Sequence, residues 1–256
     1  MIDPRAIIAP DAILGEGVAV GAYTIIGAGV RIGAGSWIGP HAVINGPTTL
    51  GCENKVFQFA SVGDAPQDKK YNGEPTRLEV GDRNVFREFC SVNRGTVSGR
   101  GVTKIGDENL FMAYSHVAHD CIVGSNCVMS NCTALAGHVE LGDWVILSGY
   151  AGIHQFCKVG SHSFLANNAA VTRDVPPYLL VAGTPAEPKG VNSEGLKRRG
   201  FGPAQITNIR NAYRLLYRSG LKLAAATEQL QALAADQPEL LPFVQFLAAS
   251  ERSIVR

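Results

Sequence analysis

An aliphatic residue returns every six positions along most of the chain. The series begins Ile8, Leu14, Val20, Ile26, Ile32, Ile38, Ile44, Leu50, Val56 and Val62. It resumes at Val80, Phe86 and Val92. It then runs without slip from Ile105 through Phe111, Val117, Val123, Met129, Leu135, Leu141, Leu147, Ile153, Val159, Leu165 and Val171. Of these 25 positions, 22 are Ile, Leu or Val, far more than an unpatterned chain would give. A period of six fits neither a helix nor a simple alternating strand. It fits a β-solenoid whose short strands turn a corner every six residues. The aliphatic residue points inward. The residue four later is also inward and small, as at Ala12, Thr24, Ser36, Ala60, Ser115, Thr133 and Ala151. Cys90, Cys121, Cys127 and Cys157 fall at this same position and read as small core residues.

Two segments, 64–79 and 98–104, leave the register. The first carries a dense polar set, and loops on a rigid scaffold are where function concentrates. The hexads stop after Val175-Pro176-Pro177. From about residue 191 the pattern turns helical, with Pro203 suited to a first helical turn. Ile206, Ile209, Tyr213 and Leu216 follow at helical spacing, and Gly220 closes that element. Segments 222–235 and 239–250 read as two more helices. The expected organisation is a solenoid over 1–190 and a small α-helical domain over 191–256.

Composition narrows the class. Lys plus Arg (23) nearly cancels Asp plus Glu (22), which argues against a nucleic-acid binder. Charged residues are only 18% of the chain, and 29 residues are Gly, as expected where many backbones pack closely. No basic segment leads into an apolar run at the start, and no window approaches a membrane span. The six cysteines show no metal-binding spacing. The expectation is a cytoplasmic protein with reduced thiols.

Three six-residue sides make one coil, so residues 18 apart stack at about the 4.8 Å strand spacing. His119, Gly137 and Gln155 then form one column. Ala118, Ala136 and His154 form the next, and Asp120, His138 and Phe156 the one beyond. With the second excursion removed, Asn93 falls beneath Ala118. His116, His119, His138 and His154 should line one edge. Such a cluster can hold zinc, which needs three ligands on one centre, or supply a general base. Gly137 above His119 lets a backbone N–H approach a ligand closely, and a base beside an exposed N–H suits acyl transfer. The column holds no Ser or Cys nucleophile, which favours direct transfer over an acyl-enzyme.

At these residues the chain resembles the UDP-N-acetylglucosamine O-acyltransferases of lipid A biosynthesis. The likeness covers the whole chain. It includes Gln58-Phe59-Ala60-Ser61, Lys70-Tyr71, Gly73-Glu74-Pro75-Thr76-Arg77, and His116 with His119-Asp120. It continues through Leu135-Ala136-Gly137-His138-Val139, His154-Gln155-Phe156 and Asp174-Val175-Pro176-Pro177-Tyr178. It ends with Gly190-Val191-Asn192 and Glu194-Gly195-Leu196-Lys197-Arg198-Arg199-Gly200-Phe201. The resemblance implies a left-handed parallel β-helix that forms a homotrimer. It implies transfer of an (R)-3-hydroxyacyl chain from acyl carrier protein to the glucosamine 3-hydroxyl of UDP-N-acetylglucosamine, with no cofactor or metal.

By the same resemblance His119 matches the general base, Asp68 the carboxylate that orients it, and Gly137 the oxyanion donor. Lys70, His116, His138, His154 and Gln155 match substrate contacts. Asn192, Glu194, Arg198 and Arg199 match the nucleotide end. Asn167 matches the residue that measures the acyl chain, and its bulk implies donors shorter than a Gly there would admit. The chain departs from the family's usual His-Arg-Gly at Asn93-Arg94-Gly95, where Asn93 keeps hydrogen bonding but cannot titrate. From Lys197 to Lys222 there are seven cations and no acidic residue, a face suited to an acidic carrier protein. The rivals are the sister N-acyltransferase, a zinc hydratase on the same solenoid, and a purely structural solenoid. The start of the hexads at Ile8 counts against the first, and the histidine cluster against the last.

Overall fold

The computed structural model describes residues 1–250 and 252–256. The hexads form two- to four-residue strands stacked into three sheets of nine, eight and ten strands, parallel except for the last strand of the ten-strand sheet. Successive coils pair at an offset of 18, as in Ile7 with Ile25 and Ala134 with Gly152. The architecture is the left-handed parallel β-helix that the family resemblance implies. The inward aliphatic column is buried from Val20 to Val171, and the small column beside it is buried from Thr24 to Cys157. Ile8, Ala12 and Leu14 are only half-buried, because they lie in the first coil with no layer beneath.

Core polar groups are satisfied by stacking. Asn84 donates its backbone N–H to Asn54 Oδ1 (2.9 Å), and Asn109 donates to Asn84 Oδ1 (3.0 Å). Cys127 N–H then donates to Asn109 Oδ1 at 2.7 Å. Burial pushes the thiols of Cys121 and Cys127 up to about 12, so they behave as inert small residues.

The first excursion is shorter than the register break alone indicates, and the second is shifted toward the N-terminus. The first runs from 65 to 76, because Ser61–Asp64 and Arg77–Val80 are strands. The second runs from 94 to 101, because Val102–Ile105 is a strand. Those flanking residues are polar but still pair across coils, so the ladder holds where the hydrophobic pattern fades. Ser91 pairs with His116, which places Asn93 under Ala118 as expected.

After the last coil, Leu179–Ala182 and Glu187–Val191 form an antiparallel hairpin. Helices follow at Ser193–Arg198 (α1), Pro203–Arg218 (α2), Leu223–Leu233 (α3) and Leu241–Ala249 (α4). Pro203 stands at the first turn of α2, and Gly220 (φ +75°) ends the connection beyond it. A 3-10 turn at Pro238–Leu240 precedes α4, so this helix starts two residues later than its apolar spacing predicts. The helices share one apolar core with the upper coils. Buried Asp174 fastens the chain end, accepting from Lys158 N–H (2.8 Å), Ser250 Oγ (2.6 Å) and, through its carbonyl, Val255 N–H. Among the described residues no helix is long and apolar enough to cross a membrane.

Candidate active site

The sheet that carries His116 ends at a corner where Asp120, His138 and Phe156 succeed one another with φ of +61°, +66° and +65°. This left-handed conformation costs a non-glycine residue about 1–2 kcal/mol. Stacking offsets part of that cost, since the His138 and Phe156 rings lie 4.4 Å apart. The His119 and His138 rings meet edge to face at 5.1 Å.

His119 Nδ1 lies 2.9 Å from Asp120 Oδ2, a carboxylate with no solvent exposure. The residues of the second excursion hold that carboxylate. Thr96 donates from its backbone N–H and from Oγ1 (2.6 Å), and Arg100 donates from its backbone N–H (2.8 Å). Burial alone would raise the Asp120 pKa, but the hydrogen bonds from His119, Thr96 and Arg100 hold it down at about 2. An ionised carboxylate only accepts, so the proton of neutral His119 sits on Nδ1 and the lone pair on Nε2.

The carboxylate bonded to His119 is that of Asp120; among the described residues no hydrogen bond joins Asp68 to His119. Asp68 Oδ1 accepts the Lys70 backbone N–H at 2.9 Å, and its charge acts on His138. Lys70 is exposed beside it. Sequence reasoning quoted His119-Asp120 as a motif but missed the contact between the two side chains, whose carboxylate is held by Thr96 and Arg100 folding back over the corner. The signal available was the column that already joined Asp120 to His138.

Gly137 sits over the His119 ring as expected. A Cβ there would lie 2.6 Å from His119 Cε1 and 2.8 Å from Nε2, so only glycine fits. Among the described residues its N–H donates to no protein acceptor. His116 is half-buried and bonded through Nδ1 to Ser91 Oγ at 2.7 Å. Burial, reinforced by the nearby His119, lowers its pKa and keeps it neutral. Burial likewise lowers that of His138, against the opposing pull of Asp120. His154 and Gln155 are exposed on the coil above, where His154 Nδ1 turns to the Gln155 carbonyl at 3.1 Å. Asn93 is buried and donates to the Ala65 carbonyl at 3.0 Å, pinning the first excursion to the solenoid.

The residues expected at the nucleotide end lie on α1 and its two caps, directly after the hairpin. Asn192 caps that helix, accepting from Gly195 N–H (3.1 Å) and donating to the His162 carbonyl (2.9 Å), so its amide is already engaged. Glu194 is exposed and pairs with Lys197 at 2.7 Å. The two arginines diverge. Arg198 is exposed, whereas the Arg199 guanidinium covers the Trp144 ring at 5.0 Å and is partly desolvated. Asn167 is exposed on a corner above Gly149.

Known proteins share this fold. The family model described as UDP-N-acetylglucosamine O-acyltransferase, domain 2, matches residues 174–255, and the bacterial transferase hexapeptide model matches 103–137. The UDP-N-acetylglucosamine acyltransferase of Francisella novicida is 40% identical, with a TM-score of 0.98 over all of this chain and 94% of that one. LpxA from Acinetobacter baumannii is 45% identical, with a TM-score of 0.97 over 100% and 99% of the two chains.

The chain belongs to the UDP-N-acetylglucosamine O-acyltransferases.

The Arabidopsis UDP-N-acetylglucosamine acyltransferase shares the fold over both full lengths at 34% identity and a TM-score of 0.87. This acyltransferase chain thus carries the family's solenoid and helical end together, with the His119–Asp120 pair at a solenoid corner.

Proposed function

We propose that this acyltransferase moves an (R)-3-hydroxyacyl chain from acyl carrier protein to the 3-hydroxyl of UDP-N-acetylglucosamine, by direct attack. The observation that carries the reading is the His119–Asp120 pair beneath Gly137. His119 Nε2 takes the hydroxyl proton as the oxygen attacks the thioester carbonyl. Asp120 stabilises the imidazolium that forms, and the Gly137 N–H receives the developing oxyanion. Collapse of the tetrahedral adduct returns the proton to the carrier thiolate. His116, His138, His154, Gln155 and Lys70 bind the two substrates around this centre.

Assembly follows from the distribution of charge. The outward positions on the nine-strand sheet are Ile7, Ile25, Val43, Ser61, Ser91, His116, Ala134, Gly152 and Ala170, none of them charged. The ten-strand sheet is nearly as apolar. Between them runs a corner of stacked, exposed rings: Tyr23, His41, Phe59, Phe89 and Tyr114, spaced 4.9–5.3 Å. Two adjacent apolar sides flanking one aromatic corner suit a closed ring, each copy laying one side on the next. A homotrimer built this way puts the His119 corner against a neighbour, whose α1 region supplies Glu194, Arg198 and the nucleotide end. On α2, Arg210, Arg214 and Arg218 stand one turn apart and exposed, the face for acidic carrier protein.

The test is product analysis with UDP-N-acetylglucosamine and a mixed pool of 3-hydroxyacyl carrier proteins. The expected product is a single ester at the glucosamine 3-oxygen. Asn167 blocks the groove end, so donors of roughly ten to twelve carbons should be preferred, each accommodated methylene contributing about 0.8 kcal/mol. Asn167→Gly should lengthen the preferred donor. An amide product or an unchanged donor profile would contradict the corresponding part.

A further inference from the structure

His119, Asp120 and His138 each offer one metal-ligating atom, and the three atoms lie within 4.8 Å of one another. His119 Nδ1 is 2.9 Å and His138 Nε2 3.8 Å from the same oxygen, Asp120 Oδ2. Two imidazoles and a carboxylate are an ordinary donor set for zinc-class ions. We infer that these three side chains form an inhibitory binding site for a divalent transition-metal ion, displacing the proton that His119 shares with Asp120.

Zinc bonds of about 2.0–2.2 Å need donor atoms roughly 3.3 Å apart around a tetrahedral centre. The observed spacings bracket that value, so a small tilt of the His138 ring closes the set. The scaffold holds the donors in place. His119 and Asp120 are consecutive, and His138 lies on the next coil. Thr96 and Arg100 fix the carboxylate from behind, which is how outer partners orient ligands. Gly99 walls one side, since a Cβ there would lie 2.5 Å from Asp120 Oδ2 and 2.6 Å from His138 Cε1.

Inhibition follows from the tautomer, and this part rests on the proposed function. A neutral imidazole carries one N–H. An ion on Nδ1 sends that proton to Nε2, the atom proposed to accept the substrate proton. No proton is released, yet the lone pair needed for catalysis is lost.

The experiment uses the full chain carrying Cys52→Ser, which removes the exposed thiol as a competing ligand. Zn²⁺ retention is measured by equilibrium dialysis, and Co²⁺ is followed by its visible absorption. About one ion per chain is expected, with His138→Ala weakening retention at least about tenfold and His41→Ala leaving it unchanged. Zn²⁺ should arrest acyl transfer over the same concentration range, and a chelator should restore it. Asp120→Asn, checked for folding by circular dichroism, provides a second ligand test. Retention absent, or unmoved by both His138→Ala and Asp120→Asn, would overturn the site. Retention with the expected variant pattern in a protein that never acylates the UDP-sugar would instead overturn the proposed function and leave the metal site standing.

Discussion

His119 is bonded to its neighbour in the chain, Nδ1 lying 2.9 Å from Asp120 Oδ2. The period of six put His119, Gly137 and Gln155 in one column before any coordinates were needed, because a fixed repeat converts sequence distance into height. It could not show which carboxylate serves the imidazole. That choice depends on Asp120 adopting φ +61° and on Thr96 and Arg100 folding over it, contacts that follow no repeat. Asp120→Asn should lower kcat by about 10²-fold or more while leaving KM nearly unchanged, because the wrong tautomer is favoured. Asp68→Asn should cost less, and steady-state kinetics on both variants would separate the two carboxylates. The Asp120 pKa is depressed to about 2, below the ordinary carboxylate value of about 3.9. Its contribution to stability is therefore complete above pH ~4 and lost as the pH falls through ~2. Asp120→Asn should flatten the acid limb of the unfolding curve across that window.

At the scale of elements, strands and helices were legible where a period repeats, and excursion limits were not. Arg77–Glu79 and Val102–Lys104 look like loop by composition but are strand, since backbone pairing continues under polar side chains. The docking of α1 was also invisible. His162, Trp144, Tyr178 and Phe201 form an aromatic cluster where the solenoid meets the helices, with the Arg199 guanidinium over Trp144. No repeat links residues 144 and 199. Burial, followed by the charge of Arg199, pushes the His162 pKa down to about 4. The folded state thus favours neutral His162. Its stabilising share is full above the unfolded value of about 6.5 and drains away as the pH falls through 4. The melting temperature should drop between pH 7 and pH 5, and drop less in His162→Phe. An equal drop in both proteins would remove His162 from the account.

At the scale of the whole molecule, a rigid three-sided solenoid displays one chemically distinct feature on each region. Two sides are apolar, one corner carries stacked aromatic rings, another carries His119 and His138, and the helical end carries exposed arginines. The fold was readable from the chain because one short repeat specifies nearly every layer. The central claim is that His119 is the base and serves no structural purpose. Its most direct test is acyl transfer by His119→Ala, measured beside the mass of the assembly by light scattering. The account predicts an intact trimer with turnover reduced about 10²–10⁴-fold. Turnover within a few-fold of the wild-type protein in that same intact assembly would contradict it.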